Sequence, residues 1–216
     1  MKKIHKINQQ LKTSNDTRDR LFSIISHDLR GVISSLNLLA QETSEDNMRR
    51  IRTGSDTLLI EFDNLLYWSS QHLDNIRIFP EVIDLNEIID EVIHLLEGQI
   101  NDKKQRIIYH YSDDCVAFAD HNTVRVVLRN ILHNAIKYSP ENSEIDINIT
   151  ERKMDTRIDI SDMGGGFVDH PSSKGLGLGL DLCYDFVKLN KGKLLIDSNK
   201  SGSCISIVLP VDESTQ

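Results

Sequence analysis

Between Phe22 and Leu39 the apolar positions Phe22, Ile25, Leu29, Val32, Leu36 and Leu39 recur at alternating spacings of three and four, the seam of a helix packed against other helices. The polar run QETSEDN, Gln41 to Asn47, interrupts that pattern as a turn. A second seam follows through Ile51, Leu58, Phe62 and Leu65, with Leu59, Leu66 and Leu73 beside it. The pattern predicts a helical hairpin over residues 1–78. Two helices alone bury too little apolar surface to be stable, so two copies are expected to combine into a dimeric four-helix bundle. Upstream, Ile4, Ile7 and Leu11 in a polar background extend the first helix as a loose coiled coil. A chain that opens in mid-helix reads as a piece of a longer one.

Pro80 marks the passage into a second domain, residues 79–216, where the period changes. Residues 85–104 read as an amphipathic helix, RIIYHY and CVAFA as short strands. Residues 121–138 form another helix with Val124, Val127, Leu128, Ile131, Leu132 and Ala135 on its apolar face. EIDINIT and TRIDISD alternate apolar and polar residues, as half-buried strands do. A glycine-rich stretch leads into a helix at about 178–190, and KLLIDSN and SCISIVLP close the chain as a hairpin. The expected fold class is α+β: the helical hairpin, then a two-layer α/β sandwich with a mixed sheet on one side and helices on the other.

Composition narrows the functional classes. With 39% hydrophobic residues the chain can build a core, and its formal net charge of -8 with no sustained basic stripe argues against nucleic acid as a partner. Cys115, Cys183 and Cys204 are scattered and lack a CxxC spacing, which argues against a disulfide framework or zinc site and fits a reducing compartment. No apolar run approaches the roughly 20 residues of a membrane span. The reading is a cytoplasmic fragment with no membrane contact of its own, compatible with a membrane-anchored parent.

Three groups carry candidate chemistry. His27 lies roughly 200° around its helix from Ile25, at about 100° per residue, so it projects away from the seam, beside Asp28 and Gly31. A lone surface histidine is ordinarily just that. Asn130 and Asn134 stand one turn apart and are followed by Lys137 and Tyr138. Their carboxamide oxygens suit a hard cation such as Mg2+, the lysine suits a phosphate and the tyrosine a flat nucleoside, although a solvated polar face explains the same pattern. Finally, DMGGG (Asp162 to Gly166) follows a strand and GLGLGL (Gly175 to Leu180) opens a helix, so backbone N–H groups can meet phosphate oxygens there. No GK[ST] follows, so this is not a Walker motif.

In order and spacing these groups resemble sensor histidine kinases of two-component systems. FSIISHDLR is similar to that family's H-box, LRNILHNAIKYS to its N-box, DMGGG to the G1 box, KGLGLGL to the G2 box, and GKLLIDSNKSGSCISIVLP to its closing hairpin. The resemblance implies a Bergerat-type ATP-binding fold of the GHKL superfamily behind a dimerising phosphoacceptor hairpin. It implies that His27 accepts the γ-phosphoryl group of ATP while Asp28 orients the imidazole. Asn134 with Asn130 would hold Mg2+, Lys137 would meet phosphate, and Tyr138 would pack on the nucleoside. Asp162 would take the adenine amino group, with Gly164 and Gly166 letting the backbone pass close to the base. Gly175, Gly177 and Gly179 would form the lid hinge and the phosphate-facing helix start, with Lys174 before them among the cofactor-binding residues. The implied partners are a second copy of the chain and a response-regulator receiver domain whose aspartate takes the phosphoryl group.

Two departures from the family stand out. The fourth and fifth residues after the histidine are Gly31 and Val32, where the common pattern has Thr, Asn or Ser and then Pro. Only FVDHPSSK, Phe167 to Lys174, separates the two glycine boxes, a short lid. The short lid supports a second reading, a pseudokinase scaffold that binds a receiver domain without phosphoryl transfer.

Overall fold

The computed structural model describes residues 77–111, 115–166 and 178–212, together with Ser44, Asn47, Met48, Ile51, Gly54, Ser55, Leu58 and Ile60. The chain divides into two compact units, Met1–Leu65 and Leu66–Gln216. In the first unit, the Ser44 hydroxyl accepts the Asn47 N–H at 3.1 Å and its carbonyl accepts the Met48 N–H at 2.9 Å. Serine is a strong N-cap, and this one sits within the turn expected at Gln41 to Asn47. The described residues from Asn47 to Ile60 are helical, and Ile60 is buried. The first seam, His27, Asp28 and the four-helix bundle lie outside the described residues.

In the second unit the elements run β1 (Glu81–Asp84), α1 (Leu85–Asp102), β2 (Arg106–His110), β3 (Val116–Ala119), α2 (His121–Tyr138), β4 (Glu144–Glu151), β5 (Asp155–Asp162), α3 (Leu178–Leu189), β6 (Lys193–Asn199) and β7 (Gly202–Pro210). A five-stranded sheet has the order β2-β4-β5-β7-β6. The β2–β4 pair is parallel and the others are antiparallel, so the sheet is mixed as expected. β1, which the sequence pattern did not reveal, pairs antiparallel with β3 in a separate two-stranded ribbon.

The alternation in β4, β5 and β7 sends isoleucines to one face. Ile147 pairs with Ile160, Ile158 with Ile207, and Ile160 with Ile205, all buried. The helices supply the facing layer: Ile88, Ile89, Val92 and Leu96 from α1, the predicted apolar positions of α2, and Leu182, Cys183 and Val187 from α3. α2 touches both α1 and α3. Fully burying one such aliphatic side chain contributes about 1.5–3 kcal/mol, which explains why the two-residue strand period and the helical period both read clearly.

Polar groups set the helix starts. Asp84 caps α1 by accepting the N–H groups of Asn86 and Glu87, and Asp120 caps α2 by accepting that of Thr123 at 2.9 Å. The other Asp120 oxygen accepts the Phe79 N–H at 2.8 Å. Buried Asn190, just after α3, accepts the Asp120 N–H at 2.7 Å and donates to Thr123 Oγ1 at 2.8 Å, tying the end of α3 to the start of α2. Cys115 and Cys183 are buried and Cys204 is half-buried, none of them in a disulfide; burial pushes the Cys183 thiol well up, so it packs as a small apolar group. No helix among the described residues is long and apolar enough to cross a membrane.

Candidate functional site

The site is built where the C-terminal half of α2 meets the end of β5 and the β6–β7 turn. Asn130 is only 3% exposed, and its Nδ2 donates to the Val126 carbonyl at 2.9 Å. That bond fixes which end of the carboxamide is committed and leaves Oδ1 as the group available to a cation. Asn134, one turn on, is half-exposed. Two oxygen donors at this spacing fit a Mg2+ ion that keeps several waters.

The last turn of α2 carries Lys137 and Tyr138. Tyr138 is 60% exposed, an aromatic face open to a ligand, and Lys137 Nζ stands 5.4 Å from its ring centroid, within cation–π range. One turn earlier on the same helix His133 is 6% exposed, and burial, reinforced by Lys137 and then Arg129, pushes its imidazole down to about 4. His133 is therefore neutral at pH 7. For Asn130 and Asn134 the sequence left two readings open, a cation site and a solvated polar face. The structure instead buries Asn130, Arg129 and His133, so the helix is enclosed around more of its circumference than its apolar stripe implies.

Asp162, the last residue of β5, is committed at both oxygens. Oδ1 accepts the Gly164 N–H at 2.7 Å, and Oδ2 accepts the Ser203 hydroxyl from the start of β7. Each carboxylate oxygen keeps a further acceptor site, so the group is fixed in orientation while still able to accept from a ligand amine. Ser203 was missed by the sequence reading. Its signal is the register that sets Asp162 directly opposite Ser203, a relation between positions 41 apart.

The glycines follow from the crowding. A Cβ at Gly164 would lie 2.8 Å from Asp162 Oδ1 and 3.2 Å from the Tyr138 carbonyl oxygen, so the loop after β5 passes directly against the end of α2. Gly166 has φ +68°, and a Cβ there would lie 2.0 Å from the Asn199 carbonyl oxygen. The structure thus brings together Tyr138, Asp162, Gly164 and Gly166, four of the residues singled out from sequence, and adds Asn199, Gly202 and Ser203. Gly179 lies half-exposed in the first turn of α3. Lys174, Gly175 and Gly177 lie outside the described residues. The arrangement offers a fixed carboxylate, an exposed aromatic face and a lysine beside backbone that only glycine permits.

Residues 119–213 match the family profile described as Histidine kinase-, DNA gyrase B-, and HSP90-like ATPase. Over 233 residues the chain is 25% identical to the adaptive-response sensory kinase SasA of Thermosynechococcus vestitus, covering 90% of this chain and 60% of that protein. The chain spans only 57% to 63% of the length of this relative and of two other SasA proteins, from Synechocystis and Trichormus variabilis. Among solved structures, the Acinetobacter baumannii histidine kinase AdeS overlaps with a TM-score of 0.66 at 20% identity, covering 87% of this chain and 98% of that one. The histidine kinase ThkA, solved in complex with the response regulator protein TrrA, overlaps with a TM-score of 0.64 at 19% identity, covering 89% of this chain and 61% of that one. The structural overlaps establish a shared fold.

Proposed function

We propose that this chain is the catalytic core of a two-component sensor histidine kinase, in which an ATP-binding domain phosphorylates His27 and the phosphoryl group then passes to an aspartate of a response regulator. The observation that carries the reading is the Asp162–Ser203–Gly164 arrangement beside Tyr138, inside the segment that matches the ATPase family. Asp162 accepts the adenine amino group, Tyr138 packs on the nucleoside, and Lys137 meets phosphate. Asn130 and Asn134 present oxygens to Mg2+, which when bound neutralises phosphate charge. Gly175, Gly177 and Gly179 serve as the lid hinge and the start of a helix whose N–H groups face the phosphates, and Lys174 joins the cofactor-binding residues.

In the transfer step Nε2 of His27 attacks the γ-phosphorus, an N–P bond forms, and the bond to the β–γ bridging oxygen breaks, releasing ADP. Asp28 accepts the Nδ1–H hydrogen bond and holds the tautomer with Nε2 free. The remaining catalysis is positioning and charge neutralisation. The hairpin of residues 1–78 forms a homodimeric bundle that presents His27, both to the ATP domain of residues 79–216 and to the receiver domain. The kinase–regulator complex of ThkA supports a receiver domain as the second partner.

The chain incubated with radiolabelled Mg-ATP is expected to gain label that survives base and is lost in acid, and His27→Gln is expected to gain none. A folded chain that binds ATP yet takes no label would instead favour the scaffold reading, which the eight residues from Phe167 to Lys174 motivate. Ser203→Ala removes the donor that fixes Asp162, and a bond to a charged group contributes about 1.5–3 kcal/mol, so ATP binding should weaken about ten-fold or more in a calorimetric titration.

A further inference from the structure

Two helices end at one lysine. Lys103 is the C-cap of α1, and its Nζ donates to the carbonyl oxygens of Ile136 at 2.8 Å, Lys137 at 2.6 Å and Ser139 at 2.8 Å. These carbonyls belong to the last turn of α2 and its exit, where a helix has no backbone N–H to offer them. An ammonium has three donors, and here each meets an acceptor at the negative end of the helix dipole. Gln105 adds a second polar anchor from the same connection, its buried Nε2 lying 3.2 Å from the Ile136 and Ser139 oxygens and 2.9 Å from that of Pro140. The backbone closes the clamp. Asn142 N–H donates to the Lys103 carbonyl at 2.9 Å and Arg106 N–H to that of Ser143 at 3.0 Å, and Lys104 takes a φ of +52° to make the turn.

The turn held this way carries Lys137 and Tyr138. Its far side is bounded by the glycine loop, because the Tyr138 carbonyl oxygen sits where a Cβ at position 164 would be only 3.2 Å away. The end of α2 is therefore gripped from two sides, by Lys103 and by the loop that follows Asp162. Releasing three charge-assisted bonds on one side frees the final turn to fray, and the groups facing the nucleoside and phosphate move with it.

We propose that Lys103, which itself faces no nucleotide, is a positioning residue for the nucleotide site, acting through the last turn of α2; the inference rests on the ATP-binding reading. The test is a titration of the full chain with Mg-ATP, with thermal midpoints measured on the same samples. Lys103→Met is expected to weaken ATP binding about ten-fold, and Lys103→Arg, which keeps charge and part of the donor set, to recover most of that loss. The comparison variant is Arg157→Met. It removes the bonds of Arg157 to Asp159 at 2.8 Å and to Ser206 at 2.9 Å on the sheet face away from the helices. At a matched loss of thermal midpoint, Arg157→Met should leave ATP affinity within two-fold of wild type. Equal weakening in both variants would mean that affinity merely follows stability, and unchanged affinity in Lys103→Met would show that the last turn holds without it; either overturns the inference. A wild-type chain that binds no ATP overturns the nucleotide reading first, an outcome visible before any variant is tested.

Discussion

Gly202→Ala should abolish useful nucleotide binding, weakening it by about 100-fold or more, and should destabilise the second unit by several kcal/mol. Gly202 has φ +154°, and a Cβ there would lie 2.0 Å from the carbonyl oxygen of Asp162 and 3.3 Å from the Cα of Met163. The obstacle is backbone at the last residue of β5, so no side-chain rotation relieves it. Strain at a glycine-only backbone position costs about 1–3 kcal/mol and overpacking a further 1–3 kcal/mol. The movement that relieves the clash displaces Asp162 itself, together with the register in which Asp162 faces Ser203. About 3 kcal/mol lost at the site corresponds to roughly 100-fold in affinity.

Two other glycines separate site from fold. Gly165→Ala has nothing among the described residues within 4 Å of the new methyl group and should bind ATP and melt as wild type does. Gly192→Ala places its Cβ 2.4 Å from the Val208 carbonyl oxygen, toward the other end of β7, and should lower the melting temperature while the folded protein keeps its affinity. Calorimetric titration and thermal denaturation of the three variants would decide the matter. Loss of affinity in Gly192→Ala to the same degree as in Gly202→Ala would show that the glycines serve the hairpin and not the site.

The contrast between these glycines also shows what a sequence can and cannot disclose. The strands β4 and β5 were legible because each alternates isoleucine with polar residues, a signal contained in the strand itself. β1 was not, since EVID buries only Ile83 and follows a proline, leaving no alternation to read. DMGGG announced an unusual backbone, but not what its glycines avoid: the Tyr138 carbonyl for Gly164, the Asn199 carbonyl for Gly166. Ser203 and Lys103 were invisible for the same reason. Ser203 matters through a partner 41 positions away and Lys103 through carbonyls 33 to 36 positions away, distances fixed by sheet register and helix packing. A lysine at the end of an amphipathic helix reads as a solvated charge, and only the fold turns it into a cap.

His133 escaped for a related reason, and it carries the second large expectation, an acid limb in the stability of the second unit. The helical wheel of α2 gave an apolar face without it, yet the packing around α2 buries it beside Asn134. Burial is the leading cause of its depressed pKa, and the Lys137 and Arg129 charges one turn to either side push the same way, to about 4 from an unfolded value of 6.5. The folded state therefore holds the imidazole neutral while the unfolded chain takes up a proton below pH 6.5. Stability contributed by this group is fully present above pH 6.5 and is lost as pH falls toward 4, with no further loss from it below that. A shift of this size corresponds to about 3 kcal/mol, arriving at up to about 1.4 kcal/mol per pH unit. Urea unfolding of the wild type between pH 7.5 and 4 should show that slope, superimposed on whatever the carboxylates contribute. His133→Leu, which fills similar space without a titrating group, should flatten the limb by about that amount while leaving the carboxylate contribution in place. Lys137→Met should flatten it less, since it removes only the second cause. Parallel wild-type and His133→Leu curves over this range would mean that the imidazole charges within the folded protein, and that the end of α2 is wetter than its burial indicates.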